Sequence, residues 1–295
     1  MRVAHSQLPV LIQGESGTGK ELLAQALHQN SPRAKQSMLT INCGAITPSL
    51  LESTLFGHLK GAFTGATKNQ SGVIAEAHQS TLFLDEIGEL PKELQVKLLR
   101  AIQFGEVMPV GATKPLRYDV RFIAATNRDL AKEVREGRFR EDLLYRLNAA
   151  TLVIPPLRER MVDVLPLVGH LLRETSRREN RDVPELAREV EVAFMAHDWP
   201  GNVRELENEV NLLFAMTPPG LPITADLLSP VLQEKRGAPA LALTDDLSQK
   251  TLIESERTMI ELHLKRANGN KTHAAQSLGI SREALRLMIK RHGIT

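Results

Sequence analysis

The chain has 295 residues, with 37 Lys and Arg against 35 Asp and Glu, a single Cys and 4 % aromatic residues. This length fits about two domains at roughly 150 residues each. The single Cys excludes a disulfide framework and a multi-cysteine metal site, and it predicts a reducing, cytoplasmic compartment. No apolar run reaches the roughly 20 residues that a membrane-spanning helix needs, so no membrane partner is expected.

Short apolar runs alternate with helical patterns in the first half of the chain. Strands are predicted at residues 9–13, 38–42, 81–85 and 121–125, and helices at residues 20–29, 48–56 and 91–103. This alternation is typical of a parallel sheet with crossover helices. After Pro155 and Pro156 the patterns are helical only, at residues 163–178, 190–196, 203–215 and 225–228. The sequence therefore predicts an α/β subdomain at residues 1–155 and a small helical subdomain at residues 156–232.

Charge is unevenly distributed along the chain. Residues 251–295 contain eight Lys and Arg against four Asp and Glu, which gives this end a net charge of +4 and the preceding residues −2. Residues 233–250 have no sustained periodicity and are predicted to form a linker. A basic module on a slightly acidic chain predicts a polyanionic partner.

A glycine-rich loop follows the first strand and opens the first helix. It consists of Gly14, Glu15, Ser16, Gly17, Thr18, Gly19 and Lys20. Glycines let successive backbone N–H groups turn toward phosphate, the helix N-terminus adds partial positive charge, and Lys20 can reach the β- and γ-phosphates. The sequence therefore predicts a Walker A loop that binds ATP, the alternative being a plain glycine-rich turn.

A second motif supplies carboxylates for this chemistry. Position 21 is Glu, where the general loop has a Ser or Thr hydroxyl for Mg²⁺, so a carboxylate from elsewhere must help to hold the metal. The apolar strand at residues 81–85 ends in Asp85 and is followed by Glu86, which is the Walker B form. Asp85 is expected to orient Mg²⁺ through water, and Glu86 to polarise the attacking water as general base.

Asn42 and Asn127 also follow apolar strands. Because ligands bind at the carboxyl ends of strands in an open parallel sheet, both are candidates for the γ-phosphate side of the site. The alternative for each is an Asn that only forms a turn.

The basic end carries a helix-turn-helix pattern. Two short helices meet at Gly279, with Ala275 packed in the crossing and Leu285 on an apolar stripe of the second helix. The predicted DNA-contacting residues are Thr272, Ser281, Arg282, Arg286, Lys290 and Arg291. Arg282 and Arg286 are expected near base edges, and Lys290 and Arg291 nearer phosphates. A solvated basic face on a small bundle is the alternative.

Residues 55–66 read LFGHLKGAFTGA, and the last six letters are close to unique to one family. The run resembles the signature of bacterial enhancer-binding proteins, the AAA+ activators of sigma-54 RNA polymerase. Further segments that resemble this family lie at residues 14–21, 42–46, 81–86, 139–148, 155–160 and 199–206. Residues 251–295 resemble the Fis-type domain that ends these activators.

The resemblance implies an AAA+ P-loop NTPase with a helical lid and a C-terminal all-α helix-turn-helix domain. Such a protein hydrolyses ATP with Mg²⁺, binds enhancer DNA and remodels the sigma-54 polymerase closed complex to the open complex. Dimers that assemble into a hexameric ring are also implied. The residues that would contact sigma-54 are Gly61, Ala62, Phe63, Thr64, Gly65 and Ala66.

The same resemblance implies roles for single residues around the nucleotide. Asn42 would hold Glu86 inactive until the right nucleotide state is reached. Asn127 resembles the sensor I residue, and Arg204 resembles the sensor II arginine of the lid. Glu21 matches the family's habit at that position.

Arg140 and Arg146 match the family's arginine fingers, which reach the γ-phosphate of the neighbouring subunit. An arginine supplied across an interface makes hydrolysis depend on assembly. For each arginine the alternative is a solvated helix face.

Two other functions stay open at this point. One is a nucleotide-regulated DNA-binding regulator that acts without sigma-54 remodelling, and the other is a different AAA+ remodeller; the loop at residues 61–66 argues against both. Only thirteen residues precede Gly14, fewer than the family has. We therefore expect a fragment without its N-terminal regulatory domain, or an altered nucleotide affinity.

Overall fold

The computed structural model describes residues 2–234 and, further on, Lys271, Ala275, Leu285, Arg286 and Ile289. Contacts between residues divide the chain into two units, Met1–Lys235 and Arg236–Thr295. The strands of residues 2–234 are β1 (Val10–Gln13), β2 (Leu39–Asn42), β3 (Thr81–Asp85), β4 (Glu106–Val107), β5 (Leu116–Arg117), β6 (Arg121–Thr126) and β7 (Ala150–Val153). Their α-helices are α1 (Lys20–Gln29), α2 (Pro48–Phe56), α3 (Val73–Glu76), α4 (Lys92–Phe104), α5 (Leu130–Arg135), α6 (Glu141–Leu147), α7 (Val164–Glu179), α8 (Arg188–Ala196), α9 (Asn202–Met216) and α10 (Pro230–Glu234).

Five strands form one parallel sheet in the order β2-β3-β6-β1-β7. The predicted α/β class and the four predicted strands are confirmed, and β7 adds an edge strand that the sequence analysis did not predict. β4 and β5 form a separate antiparallel pair. Since all five strands run the same way, their carboxyl ends meet at one edge, where Asn42 pairs with Asp85 and Gln13 with Thr126.

Alternating side chains along the strands bury both faces of the sheet. Leu11, Leu82, Leu84 and Phe122 belong to the core on one face, together with α2, α4 and α6. On the other face Val10, Ile12, Phe83 and Ile123 pack with Ala24 and Leu27 of α1. All six residues of β6 are buried, as expected for a central strand that is covered on both sides.

The helices after the sheet pack around their own core and form the lid. Trp199 is fully buried there and meets the edge of the Phe194 ring at 5.4 Å between centroids. The segment predicted as helical at residues 225–228 is a short 3-10 helix, Ala225–Leu227. Helix α10 follows it, and Leu232 on α10 packs into the lid core.

The described residues of the second unit are helical. Ala275 and Leu285 are buried, whereas Lys271 and Arg286 are exposed. The other predicted DNA contacts, Thr272, Ser281, Arg282, Lys290 and Arg291, lie outside the described residues. Among the residues that the structure describes, none of the helices is long and apolar enough to cross a membrane.

Candidate nucleotide site

The glycine-rich loop connects β1 to α1 at the carboxyl edge of the sheet. Gly17 and Gly19 have φ angles of 78° and 98°, in the left-handed region that glycine adopts without strain. A Cβ atom on Gly17 would lie 2.3 Å from the carbonyl oxygen of Gly201 in the lid. Position 17 therefore requires glycine both for its backbone angle and for the close approach of the lid.

The loop presents unpaired backbone donors to the space in front of it. Within the described residues, the N–H groups of residues 15–20 donate to no backbone carbonyl. The side-chain ammonium of Lys20 donates to the carbonyl oxygens of Gly14 and Glu15, at 2.8 and 2.9 Å. A row of free N–H groups at the start of a helix is suited to bind an anion.

A cleft of about 240 Å³ brings several predicted site residues together. The residues that line it are Ser16, Gly17, Gly19, Lys20, Glu21, Leu22, Asp85, Glu86, Val203, Arg204 and Glu207. Burial lowers the pKa of Lys20, and the carboxylates of Asp85 and Glu86 oppose that shift. The loop, both acids of the Walker B strand and Arg204 of the lid therefore face one cleft, although they are far apart in sequence.

The two acids at the end of β3 differ in their surroundings. Asp85 accepts hydrogen bonds from the Asn42 side-chain amide at 3.4 Å and from the Glu86 backbone N–H at 3.0 Å. Glu86 has a φ angle of 52°, and a Cβ on Gly44 would lie 2.6 Å from its Oε2. A non-glycine residue in the left-handed region is uncommon and often marks a functional site. The role expected of Asn42 toward Glu86 depends on the nucleotide state and stays a prediction.

Several predicted residues do not line this cleft of their own chain: Gly14, Glu15, Thr18, Asn42, Asn127, Arg140 and Arg146. Asn127 follows β6 directly and is exposed. Arg140 lies at the N-terminus of α6, where its guanidinium binds the Asp142 carboxylate at 2.9 and 2.6 Å. Arg146 is exposed near the end of the same helix. Asn127, Arg140 and Arg146 therefore have no contact role in the cleft of their own chain that this lining shows.

The loop at residues 61–66 is closed at its base. The Gly61 N–H donates to the Ala66 carbonyl at 2.8 Å, and Ala66 is buried. Gly61 and Gly65 have φ angles of 81° and 102°, and a Cβ on either would meet nothing within 4 Å. Both glycines are thus required by the backbone turn rather than by crowding.

The tip of this loop is exposed. Thr64 is exposed, and Phe63 keeps 47 % of its surface accessible. The Phe63 ring meets the buried His58 ring edge to face, with 5.0 Å between centroids. The His58 Nδ1 and the Ser53 Oγ lie 2.6 Å apart, which anchors the histidine to α2. A half-exposed phenylalanine beside an exposed threonine is available to a protein partner.

Sequence analysis missed a set of contacts between the loop and the lid. Arg158 donates two hydrogen bonds to the Glu15 carboxylate at 2.6 and 2.8 Å, and Asn202 donates a third at 3.2 Å. The Arg158 guanidinium, and next the Asn202 amide, lower the pKa of Glu15 to about 2. Arg204 donates to the Ser16 hydroxyl at 3.3 Å. The sequence signal was that Arg158 and Asn202 lie in the family-like segments at residues 155–160 and 199–206, which do not show that both contact Glu15.

No group of three or more His, Cys, Asp or Glu in the described parts of the chain is arranged to hold a metal ion. Cys43 is free and buried beside this edge of the sheet, and burial raises its pKa to about 12. A thiol with so high a pKa is a weak nucleophile and metal ligand, so Cys43 acts in packing.

Comparison with known proteins agrees with this geometry. Residues 1–153 match the family described as sigma-54 interaction domain, residues 158–242 the AAA+ ATPase lid domain, and residues 251–292 the bacterial regulatory protein, Fis family. The chain is 45 % identical over 294 residues to transcriptional regulatory protein ZraR of Escherichia coli K12. That alignment covers 98 % of this chain and 64 % of the relative.

Solved structures of NtrX from Brucella abortus are also similar. The complex with ADP has a TM-score of 0.75 at 33 % identity, covering 99 % of this chain and 66 % of that one. The complex with ATP has a TM-score of 0.72 at 31 % identity, covering 99 % and 65 %. The chain therefore belongs to the sigma-54 interaction domain family, in which it combines that domain with an AAA+ lid and a Fis-type helix-turn-helix region.

Proposed function

We propose that this chain is an ATP-hydrolysing transcription activator, which binds enhancer DNA and remodels the sigma-54 RNA polymerase closed complex to the open complex. One observation carries the proposal: the same chain has a cleft lined by the glycine-rich loop and, apart from it, the exposed loop of residues 61–66 with Phe63 at its tip. Family membership and the ADP and ATP complexes of NtrX support the nucleotide.

In this proposal the loop binds the phosphates of ATP, and the lid contributes a positively charged side chain. The N–H groups of residues 15–20 and the Lys20 ammonium hold the phosphates. Glu86 accepts a proton from the attacking water, and Arg204 adds positive charge from the lid. Asn127 would sense the γ-phosphate from the end of β6.

The cleft also suits Mg²⁺. Asp85 offers a carboxylate oxygen among the residues that line the cleft, and Glu21 replaces the hydroxyl residue of the general loop. Carboxylate oxygens and water are the ligands that Mg²⁺ prefers. When bound, the metal would neutralise charge on the phosphate oxygens, with Asp85 holding it through water.

A ring of subunits would complete the site. Arg140 precedes α6 and Arg146 lies on it, and neither lines the cleft of its own chain, so in this proposal they reach the cleft of a neighbour. A guanidinium supplied in this way stabilises the charge on the transferring phosphoryl group. We propose dimers that assemble into a hexameric ring, with hydrolysis dependent on assembly.

The proposed organisation separates the motor from the DNA-binding end. Residues 1–155 and 156–232 form the motor, residues 233–250 the linker and residues 251–295 the DNA-binding domain. Buried Ala275 and Leu285, with exposed Lys271 and Arg286, fit a helical module that shows a basic face to DNA.

The loop assignment is tested with Thr64→Ala. We expect this variant to hydrolyse ATP at the wild-type rate but to lose activation of transcription by sigma-54 polymerase in a purified system. Thr67→Ala, at an exposed position just beyond the loop, is the matched control and should activate normally. Normal activation by Thr64→Ala would refute the assignment. Activation that needs no sigma-54 would favour the nucleotide-regulated DNA-binding regulator instead.

A further inference from the structure

Three consecutive carbonyl oxygens of the phosphate loop are bound by donors from the lid. The Ser16 oxygen accepts from the Asn202 side-chain amide, the Gly17 oxygen from a backbone N–H, and the Thr18 oxygen from the Arg160 guanidinium, each at 3.0 Å. The backbone donor is Val203, which follows Asn202 on α9. The loop is therefore hydrogen-bonded to the lid along its central turn.

These bonds determine where the loop's N–H groups point. A trans peptide unit is planar, so its C=O and the N–H of the next residue point in opposite directions. Because lid donors hold the carbonyls of residues 16–18, the N–H groups of residues 17–19 turn the other way, and the structure leaves them without a backbone partner. The lid contacts therefore orient the N–H groups of residues 17–19.

Asn202 has the most constrained position of these donors. It is fully buried and has a φ angle of 55°, which Asn adopts more readily than most residues. Its Oδ1 accepts the Leu157 N–H at 2.7 Å, while its Nδ2 donates to the Ser16 carbonyl and to Glu15 Oε2, at 3.0 and 3.2 Å. An N–H can face only Oδ1 and a carbonyl only Nδ2, so these partners fix the amide in one orientation.

The other end of the loop is held by an ion pair. The Glu15 carboxylate accepts two hydrogen bonds from Arg158 and one from Asn202. The close approach of Gly17 to Gly201 leaves no space for a side chain between loop and lid. Together these contacts hold the loop from Glu15 to Thr18.

We propose that Asn202 is a positioning residue for nucleoside di- and triphosphates. It touches no phosphate, but it orients the peptide units of the loop, so that affinity for the β-phosphate is set from the lid. Glu15 and Arg158 support the same arrangement from the start of the loop. The proposal deepens the ATP binding proposed above and rests on it.

The test compares two variants at position 202 that share only the loss of the Nδ2 donor. Asn202→Gly tolerates the positive φ and adds no charge, whereas Asn202→Asp keeps an acceptor for the Leu157 N–H. The matched control is Asn180→Gly, an exposed lid asparagine with a φ angle of 50°. Equilibrium binding of ATP, ADP and AMP to each protein is measured after circular dichroism has verified folding.

Both Asn202 variants should raise the Kd for ATP and ADP at least about tenfold, the change that corresponds to losing a well-made hydrogen bond. The Kd for AMP, which lacks the β-phosphate, should stay within about twofold, and Asn180→Gly should bind like wild type. An equal loss for all three nucleotides would indicate general damage to the fold and overturn the proposal.

Folded Asn202 variants that bind ATP as tightly as wild type would overturn this inference and leave the proposed function standing. A wild-type chain that binds no ATP would overturn both. If neither Asn202 variant folds, Glu15→Gln takes their place, because the Glu15 side chain lies at the exposed end of the contacts between the loop and the lid. It should raise the Kd for ATP and ADP about threefold or more, and an unchanged Kd would refute the proposal.

Discussion

The ionisation of Glu15 makes the stability of the fold depend on pH. Its hydrogen bonds with Arg158, and next with Asn202, lower its pKa from an ordinary 4.5 to about 2. Since the pKa is lower in the folded than in the unfolded chain, the carboxylate stabilises the fold fully above 4.5. This contribution is lost as the pH falls from 4.5 toward about 2.

The pH dependence predicts a specific difference between wild type and Glu15→Gln. Glu15→Gln should lower the melting temperature at neutral pH, and the difference should shrink as the pH falls from 4.5 toward about 2. Thermal unfolding followed by circular dichroism over this range measures it. Glu189→Gln, at an exposed position on α8, serves as the control. A difference that stayed constant with pH would contradict the role of this ion pair.

Arg140 carries a prediction about hydrolysis. Its guanidinium binds Asp142 in its own chain and lies outside its own cleft. If it acts on a neighbouring subunit, Arg140→Ala should bind ATP normally but hydrolyse it about 10³-fold more slowly or worse. ATPase rates measured against protein concentration test this, with Arg135→Ala, an exposed arginine at the end of α5, as control. Wild-type turnover by the variant would show that Arg140 is not an arginine finger.

Helix α9 joins the lid core to the phosphate loop. Its N-terminal residues contact the loop, while Leu206, Val210 and Leu213 are buried in the lid core. Packing in the lid core therefore holds the donors that orient the loop. A cavity under this helix would therefore disturb both the packing of the lid core and the position of those donors.

This helix predicts a contrast between two leucines. Leu206 is fully buried and Leu212 is 44 % exposed. Leu206→Ala should lower the free energy of unfolding by about 2–5 kcal/mol, because it leaves a cavity in the lid core. Leu212→Ala should change it by about 0.5 kcal/mol or less. Urea unfolding of both variants measures the difference, and equal effects would contradict the assigned packing of α9.

Strands made of apolar runs were predictable from the sequence, whereas the edge strand β7 and the short helices α5 and α6 were not. β1, β2, β3 and β6 are apolar runs between turn residues, which is why their strands could be found. β7 escaped prediction although residues 151–154 form a run rich in β-branched side chains, because this short edge strand alternates between exposed and half-buried positions. Helices α5 and α6 have six and seven residues, too few for a clear helical period.

The convergence of the site residues could be predicted from the sheet topology, but the lid contacts that hold the phosphate loop could not. Parallel strands bring the glycine-rich loop, Asp85 and Glu86 to one edge of the sheet, so their convergence could be predicted. Glu15 contacts Arg158, which lies 143 positions later in the sequence, and Asn202, which lies 187 positions later. No local pattern encodes such pairs, because they depend on how the lid packs onto the loop.

At the scale of the whole molecule, net charge predicts where DNA binds. Residues 251–295 carry +4 while the rest of the chain carries −2. Arg286, helical and exposed, should contribute to binding through phosphate or base edges. Arg286→Ala should weaken DNA binding by about tenfold and leave the ATPase rate unchanged.

Fluorescence anisotropy with duplex DNA at several salt concentrations measures this effect. If Arg286 contacts a phosphate, its loss should also make the salt dependence less steep by about one unit of slope. The control is Arg173→Ala, an exposed arginine on the lid helix α7. A variant that binds DNA as tightly as wild type would place the DNA contact elsewhere.

Trp199 is the only tryptophan of the chain. It is fully buried against Phe194 and His197, and its carbonyl oxygen accepts the Asn202 N–H at 2.8 Å. The indole thus lies at the start of the segment that contacts the phosphate loop. Its emission gives the protein an intrinsic optical probe at this junction, so that movement of the lid on the loop can be followed in real time without an attached dye.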